Sequence, residues 1–156
     1  MIKLVRIDYR LLHGQVVFAW SKTLGIERII VIDDETAADE FKKMSLSLSK
    51  PSGVKLNIFT LETALSKMPK VETLNENIMI ILGSTVAARA FCEGYPKISE
   101  INYGVLPKKE NATQYSQAIY LNKEEVEDSR VLKNMGINLF MQQVPTSKKE
   151  SLSDKL

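Results

Sequence analysis

Two short runs of this chain, Ile29-Ile30-Val31-Ile32 and Ile78-Met79-Ile80-Ile81-Leu82, are apolar from end to end, and few folds can house them. A strand with one wet face alternates apolar and polar side chains, so a run without alternation must be covered on both faces. No stretch approaches the ~18 apolar residues that a membrane span needs. The runs therefore belong in the middle of a sheet with helices packed on either side. Ile2–Asp8, Arg28–Asp33, Val54–Thr60, Asn77–Gly83, Ile98–Tyr103, Gln117–Leu121 and Ile137–Gln142 read as strands, and the segments between them carry a helical period.

Gln15–Leu24 sets Val16, Val17, Trp20 and Leu24 on one stripe, with Gly25 as its C-terminal cap. Thr85–Glu93 sets Val86, Ala90 and Phe91 on one face before Gly94, and Lys123–Met135 starts after Asn122 with Glu125 three residues on. Ala37–Ser47 and Leu61–Met68 complete the helices. Strand and helix in this alternation imply an α/β fold of three layers, a doubly wound and mainly parallel sheet of six or seven strands with helices on both faces. At 156 residues the chain suits one domain, which we place over residues 1–145. The Ser- and Lys-rich end, Thr146–Leu156, reads as a solvated tail, mobile or lightly packed.

Charge narrows the function. The 21 basic and 19 acidic side chains are scattered along the chain and leave a net charge of +2, which supplies neither a nucleic-acid footprint nor a polybasic lipid anchor. The one cysteine, Cys92, rules out an intrachain disulfide and lies in the apolar stretch Ala88-Arg89-Ala90-Phe91-Cys92, as a buried thiol would. Met1–Asp8 is too short and too interrupted by charge for a signal peptide, so a cytoplasmic setting is expected.

In an open α/β sheet, ligands bind beyond the carboxyl ends of the strands. Two loops stand out there. The first, Asp8-Tyr9-Arg10-Leu11-Leu12-His13-Gly14-Gln15, holds the only histidine in the chain. One histidine and one cysteine do not make a zinc site unless carboxylates supply most ligands. No Gly-x-Ser-x-Gly elbow, Gly-x-Gly-x-x-Gly or Gly-x-x-x-x-Gly-Lys-Ser/Thr loop occurs, so a serine hydrolase or a glycine-loop nucleotide site is unsupported. What remains is an imidazole acting as nucleophile, since a neutral ring has a free lone pair that can take a phosphoryl group. Arg10 offers a forked cation, Asp8 can orient it or the ring, and Gly14 and Gln15 open a helix whose N–H groups can face an anion. The second loop, Gly83-Ser84-Thr85, adds hydroxyls and helical N–H groups if the two strands preceding the loops are neighbours. Simpler roles compete: Ser84 and Thr85 as a helix cap, Asp33-Asp34 as caps, Trp20 as core, Arg10 as a solvated side chain.

The segment Val5-Arg6-Ile7-Asp8-Tyr9-Arg10-Leu11-Leu12-His13-Gly14-Gln15-Val16 closely resembles the signature of the IIB component of the mannose/fructose/sorbose family of bacterial sugar phosphotransferase systems. Trp20, Ile30-Val31-Ile32-Asp33-Asp34, Pro51-Ser52-Gly53-Val54, Glu100-Ile101-Asn102-Tyr103-Gly104 and Gln143-Val144-Pro145 resemble further segments of that family, so the likeness runs to about Thr146. The resemblance implies that His13 is phosphorylated, on Nδ1, by a phosphohistidine of a IIA protein or domain. The group then passes to a sugar brought in by membrane subunits IIC and IID. It implies no metal and no bound cofactor, a cytoplasmic protein at the periphery of the transporter, and supporting roles for Asp8 and Arg10, and it leaves homo-oligomerisation and the sugar open. Tyr9, Gly83 and Val105 depart from the family's usual residues. An alternative is a regulatory or binding module of the same fold without sugar-phosphorylating turnover.

Overall fold

An all-apolar strand needs neighbours on both edges as well as cover on both faces, and the sheet supplies them. The computed structural model describes residues 1–156. In chain order its elements are β1 (Ile2–Asp8), α1 (Gly14–Leu24), β2 (Arg28–Ile32), α2 (Asp34–Ala37), α3 (Glu40–Ser49), β3 (Lys55–Phe59), α4 (Leu61–Val71), β4 (Ile78–Leu82), α5 (Thr85–Gly94), β5 (Glu100–Val105), β6 (Thr113–Ser116), β7 (Ile119–Leu121), α6 (Lys123–Asn134), β8 (Asn138–Met141) and β9 (Glu150–Ser151), with a final 3-10 turn at Ser153–Lys155. The main sheet has seven strands in the order β3-β2-β4-β1-β5-β8-β9, all parallel except for β9, which runs antiparallel to β8. β4 lies between β2 and β1, and all five of its side chains are fully buried.

Alternation along each strand divides the core into two layers. Val5 and Ile7 of β1 join Ile78, Ile80 and Leu82 of β4 under α4, α5 and α6. Leu4 of β1 joins Met79 and Ile81 under Val16, Val17 and Trp20 of α1. Arg6 and Asp8 share the parity of Leu4, so their side chains enter the α1 layer although both are charged. The three-layer, doubly wound α/β architecture is the one expected.

Several local expectations are corrected. Gln117–Leu121 is not a strand of the main sheet: Ile119–Leu121 pairs antiparallel with Thr113–Ser116 in a separate hairpin, joined to the sheet only by a bridge between Leu106 and Ile119. Gln117 and Ala118 are spent on the turn of that hairpin. The helix expected over Ala37–Ser47 is two helices, because the Asp39 carboxylate caps Phe41 and Lys42 and starts a new one. Leu61–Met68 continues through Pro69 to Val71; Pro69 is exposed, so the carbonyl it leaves unpaired can reach water. On α5 the buried stripe is Thr85, Ala88, Phe91 and Cys92, with Val86 turned to solvent. Cys92 is buried as expected, and burial pushes its thiol up to about 12. The capping box of Asn122 and Glu125 forms as expected.

The C-terminal segment is the largest departure. Thr146–Leu156 is not a solvated tail: Glu150–Ser151 adds the edge strand, Leu152 is fully buried, and its N–H donates to the Leu139 carbonyl at 2.9 Å. Two leucines among Ser and Lys carry the packing, Leu152 fully buried and Leu156 partly so, which a compositional reading misses. Leu152→Ala should cost about 2–5 kcal/mol of unfolding free energy, measurable by urea denaturation. A cost below about 0.5 kcal/mol would return the segment to the status of a tail.

Candidate functional site

The loop between β1 and α1 is fixed at its start by short-range hydrogen bonds. Tyr9 N–H donates to the Val105 carbonyl of β5 at 3.1 Å, and Leu11 N–H donates back to the Asp8 carbonyl at 2.9 Å, closing a turn. The Asp8 side chain completes it by accepting the Arg10 N–H through Oδ1 at 3.0 Å. Leu11 sits at φ 59°, in the left-handed region that a side chain with a Cβ rarely adopts. Its side chain is seated over Gly83, where a Cβ would lie 3.0 Å from Leu11 Cδ2. A side chain at position 83 would press on Leu11. Leu12, 3% exposed, plugs into the α1 layer, and His13 emerges exposed.

His13 is the N-cap residue of α1 (φ −101°, ψ 112°), and no side chain caps that helix. Every other α-helix is capped by an oxygen from Asp33, Asp39, Thr60, Ser84 or Asn122. The first bond of α1 runs from Val17 N–H to the His13 carbonyl at 2.9 Å, so the N–H groups of Gly14 and Gln15 have no acceptor within the helix. No acidic residue occupies its first turn. The positive end of α1 is thus open to an anion beside the imidazole. A Cβ on Gly14 would meet only the Ser49 carbonyl oxygen, at 3.5 Å, so packing alone does not require glycine there.

Beneath the loop lies a chain of charges. Arg10 donates from Nε to Asp8 Oδ1 at 3.1 Å and from Nη2 to Asp8 Oδ2 at 3.0 Å, which leaves Nη1 free. These bonds push the Arg10 guanidinium above its usual range. Asp8 is 1% exposed and is held from below by Arg6 Nη2 at 3.1 Å. Arg6, also 1% exposed, donates from Nη1 to Asn102 Oδ1 at 2.7 Å and to the Gln142 carbonyl at 3.2 Å. Its guanidinium lies 5.9 Å from the ring centre of Trp20. Burial pulls Arg6 below its usual range, with Asp8 pulling the other way. Arg6 and Asn102 are site residues that the sequence alone does not single out; the available signal is a charged residue at an inward position of an otherwise apolar strand, two residues from Asp8.

The second loop adjoins the first, because β1 and β4 pair with Ile7 opposite Leu82. Ser84 Oγ accepts the Ala87 N–H at 3.1 Å and keeps its own proton for another acceptor. Thr85 is corrected: its side chain is fully buried and its hydroxyl donates to Asp128 Oδ2 at 2.9 Å, away from the loop. The structure thus brings Asp8, Arg10, His13, Gly14, Gln15 and Ser84 to one end of the sheet and turns the Thr85 hydroxyl elsewhere. Asp33 caps α2 through its bonds to Thr36, the simpler of the roles open to it. No helix is long and apolar enough to cross a membrane.

The profile of the family described as PTS system sorbose subfamily IIB component matches residues 2–156. Among curated proteins, the chain is 30% identical over 154 residues to the N-acetylgalactosamine-specific phosphotransferase enzyme IIB component 1 of Escherichia coli, covering 98% of this chain and 97% of that protein. It is 29% identical over 156 residues to the sorbose-specific EIIB component of Lacticaseibacillus casei, covering 100% and 95%. The mannose-specific EIIAB component of Escherichia coli is 30% identical over 154 residues, but the match covers 99% of this chain and 48% of that longer protein. Two crystal structures superpose closely. They are the N-acetylgalactosamine-specific IIB component 1 of Escherichia coli (TM-score 0.91, 30% identity, 97% of this chain and 99% of that one) and the IIB domain of the sorbose permease of Klebsiella pneumoniae (TM-score 0.90, 27% identity, 99% and 95%). The fold, its sheet and the full-length match agree, and the chain belongs to the sorbose-subfamily IIB components of the sugar phosphotransferase system.

Proposed function

We propose that His13 carries the phosphoryl group of this component, accepting it from a phosphohistidine of a IIA protein or domain and passing it to a sugar brought in by membrane subunits IIC and IID. The observation that carries the proposal is the exposed imidazole at the one α-helix start with no side-chain cap, in the same loop as a half-buried arginine. In the first step the His13 ring nitrogen attacks phosphorus as the bond to the donor ring nitrogen breaks, and the donor nitrogen keeps the electron pair. In the second step the sugar hydroxyl attacks, loses its proton to a base, and His13 departs with its electron pair. We assign the attack to Nδ1, following the family resemblance.

Phosphoryl transfer asks the protein mainly for position and for positive charge around the equatorial oxygens. Arg10 offers its unpaired Nη1 on a fork locked by Asp8. The N–H groups of Gly14 and Gln15 and the Ser84 hydroxyl supply neutral donors. The EIIAB name of one relative, which is twice the length of its match to this chain, supports a IIA partner. A component that must meet both that donor and a membrane subunit works at the cytoplasmic face of the transporter.

Incubation with phosphoenolpyruvate and the upstream carriers should label one histidine, with a bond labile in acid and stable in base. Label that persisted in His13→Ala would defeat the proposal, since position 13 holds the only histidine. Membranes carrying IIC and IID should then form sugar phosphate from the labelled protein. A label that never left His13 would favour a regulatory module instead.

Arg10→Ala should slow single-turnover transfer by about 100-fold. The same change should cost only about 1 kcal/mol of stability, since the side chain is 24% exposed and Asp8 keeps Arg6. Transfer at the full rate with an unchanged melting temperature would remove Arg10 from the mechanism.

A further inference from the structure

Arg6 is a full charge inside a sheet, and the fold makes room for it. A Cβ on Gly104 of β5 would lie 2.1 Å from Arg6 Cζ and within 2.5 Å of both terminal nitrogens, so the guanidinium occupies the space that any other residue at 104 would fill. Asn102, opposite Arg6 in the sheet and itself fully buried, spends its carboxamide on Arg6 and on the Gln142 carbonyl, at 2.7 and 3.0 Å. Trp20 covers the guanidinium and anchors its own Nε1–H on the Gln143 carbonyl at 3.1 Å. Even so, Arg6 Nε has no acceptor.

Stability does not explain this arrangement. Well-packed apolar residues commonly replace a buried ion pair with no loss of stability. What Arg6 touches beyond its supports is Asp8, and what Asp8 touches at the surface is Arg10.

Net charge supplies the reason. Asp8 holds Arg10 in place, but an isolated Asp8–Arg10 pair is neutral, and a phosphoryl dianion beside it would gain little from the guanidinium. With Arg6 behind the carboxylate, the Arg6-Asp8-Arg10 triad carries one net positive charge. Arginine keeps its proton at neutral pH even when burial lowers its affinity for it, where lysine in the same place would be prone to lose one. We propose that Arg6 is a positioning residue for phosphoryl transfer: from inside the sheet it neutralises and steadies Asp8, so that the charge of Arg10 faces the phosphoryl group uncompensated. The proposal rests on His13 as the phosphoryl carrier.

The test compares single-turnover transfer from phosphorylated IIA to three proteins: the intact chain, Arg6→Met, and Arg6→Met combined with Asp8→Asn. The first variant makes the triad neutral. The second restores its net charge to +1, while the carboxamide in place of the carboxylate still offers Arg10 an oxygen. Arg6→Met should slow the transfer step roughly tenfold to a hundredfold, as misplaced transition-state contacts do, while the concentration of IIA giving half the maximal rate stays unchanged. The double variant should recover most of that loss, which a purely structural role for Arg6 would not produce. The double variant leaves no unpaired buried charge, so it stays informative if Arg6→Met does not fold: it should then transfer faster than Arg10→Ala. Full-rate transfer by Arg6→Met, or a double variant as slow as Arg6→Met or Arg10→Ala, would overturn the role of Arg6. Failure of the intact chain to be labelled on His13 would instead overturn the carrier assignment.

Discussion

A carboxylate that is 1% exposed must be compensated, and much of this sheet's carboxyl end is arranged around that requirement at Asp8. Removing an ion from water costs several kcal/mol even after the protein relaxes. Asp8 meets this cost with two guanidinium groups and the Arg10 backbone N–H. Each partner then imposes its own condition. Arg6 requires a bare backbone at Gly104 and the side chain of Asn102, and it fixes the β8 end through the Gln142 carbonyl. Arg10 requires the turn that drives Leu11 to a positive φ, which in turn needs the open space at Gly83. Strands β1, β5 and β8 are thus tied to one another near the loop by a few polar atoms as well as by apolar packing.

Two features of the loop work against stability. A left-handed leucine costs roughly 1–2 kcal/mol, and a helix start without a capping side chain forgoes about 1 kcal/mol. Neighbouring burial offsets both: Leu12, Val16, Val17 and Trp20 are all buried, and each apolar side chain of that size contributes about 1.5–3 kcal/mol when removed from water. The loop is therefore held in a conformation it would not choose alone. Its cost is concentrated where free N–H groups and an exposed imidazole lie.

The sequence is most informative where one residue type admits one physical role. Apolar runs with no alternation lead directly to β2 and β4 in the sheet interior, and Asn122 with Glu125 announces the start of α6. His13, Arg10 and Asp8 stand out as candidates because a lone histidine, a guanidinium and a carboxylate within one strand-to-helix loop have few joint uses. Legibility fails where a role depends on the third dimension. Thr85 and Ser84 both look like phosphate-side hydroxyls, and only the packing of α6 against α5 reveals that Asp128 claims Thr85. Val86, Ala90 and Phe91 suggest one helix stripe, whereas the sheet buries Phe91 with Thr85, Ala88 and Cys92, on nearly the opposite side of the helix from Val86. Leu152 stands in a polar stretch, and its importance comes from the edge of β8. Arg6 is hidden by its own sequence motif, because a charge next to a strand end is ordinarily solvated.

With His13 as the proposed carrier, the same geometry bears on why one net positive charge serves better than two. Exchange of a phosphoryl group between two imidazoles is close to balanced, so a carrier that held the group too tightly would receive it and then fail to release it; binding that stabilises the bound state and the transition state equally gives no faster turnover. Two uncompensated guanidinium groups beside His13 would form such a trap, and a neutral Arg10–Asp8 pair would offer too little. A triad with one net positive charge lies between these limits. With His13 as the proposed carrier, the exposed ring adds a second condition: donor and sugar would approach the same nitrogen along the same line, so the two partners would exclude one another and transfer would proceed by alternation.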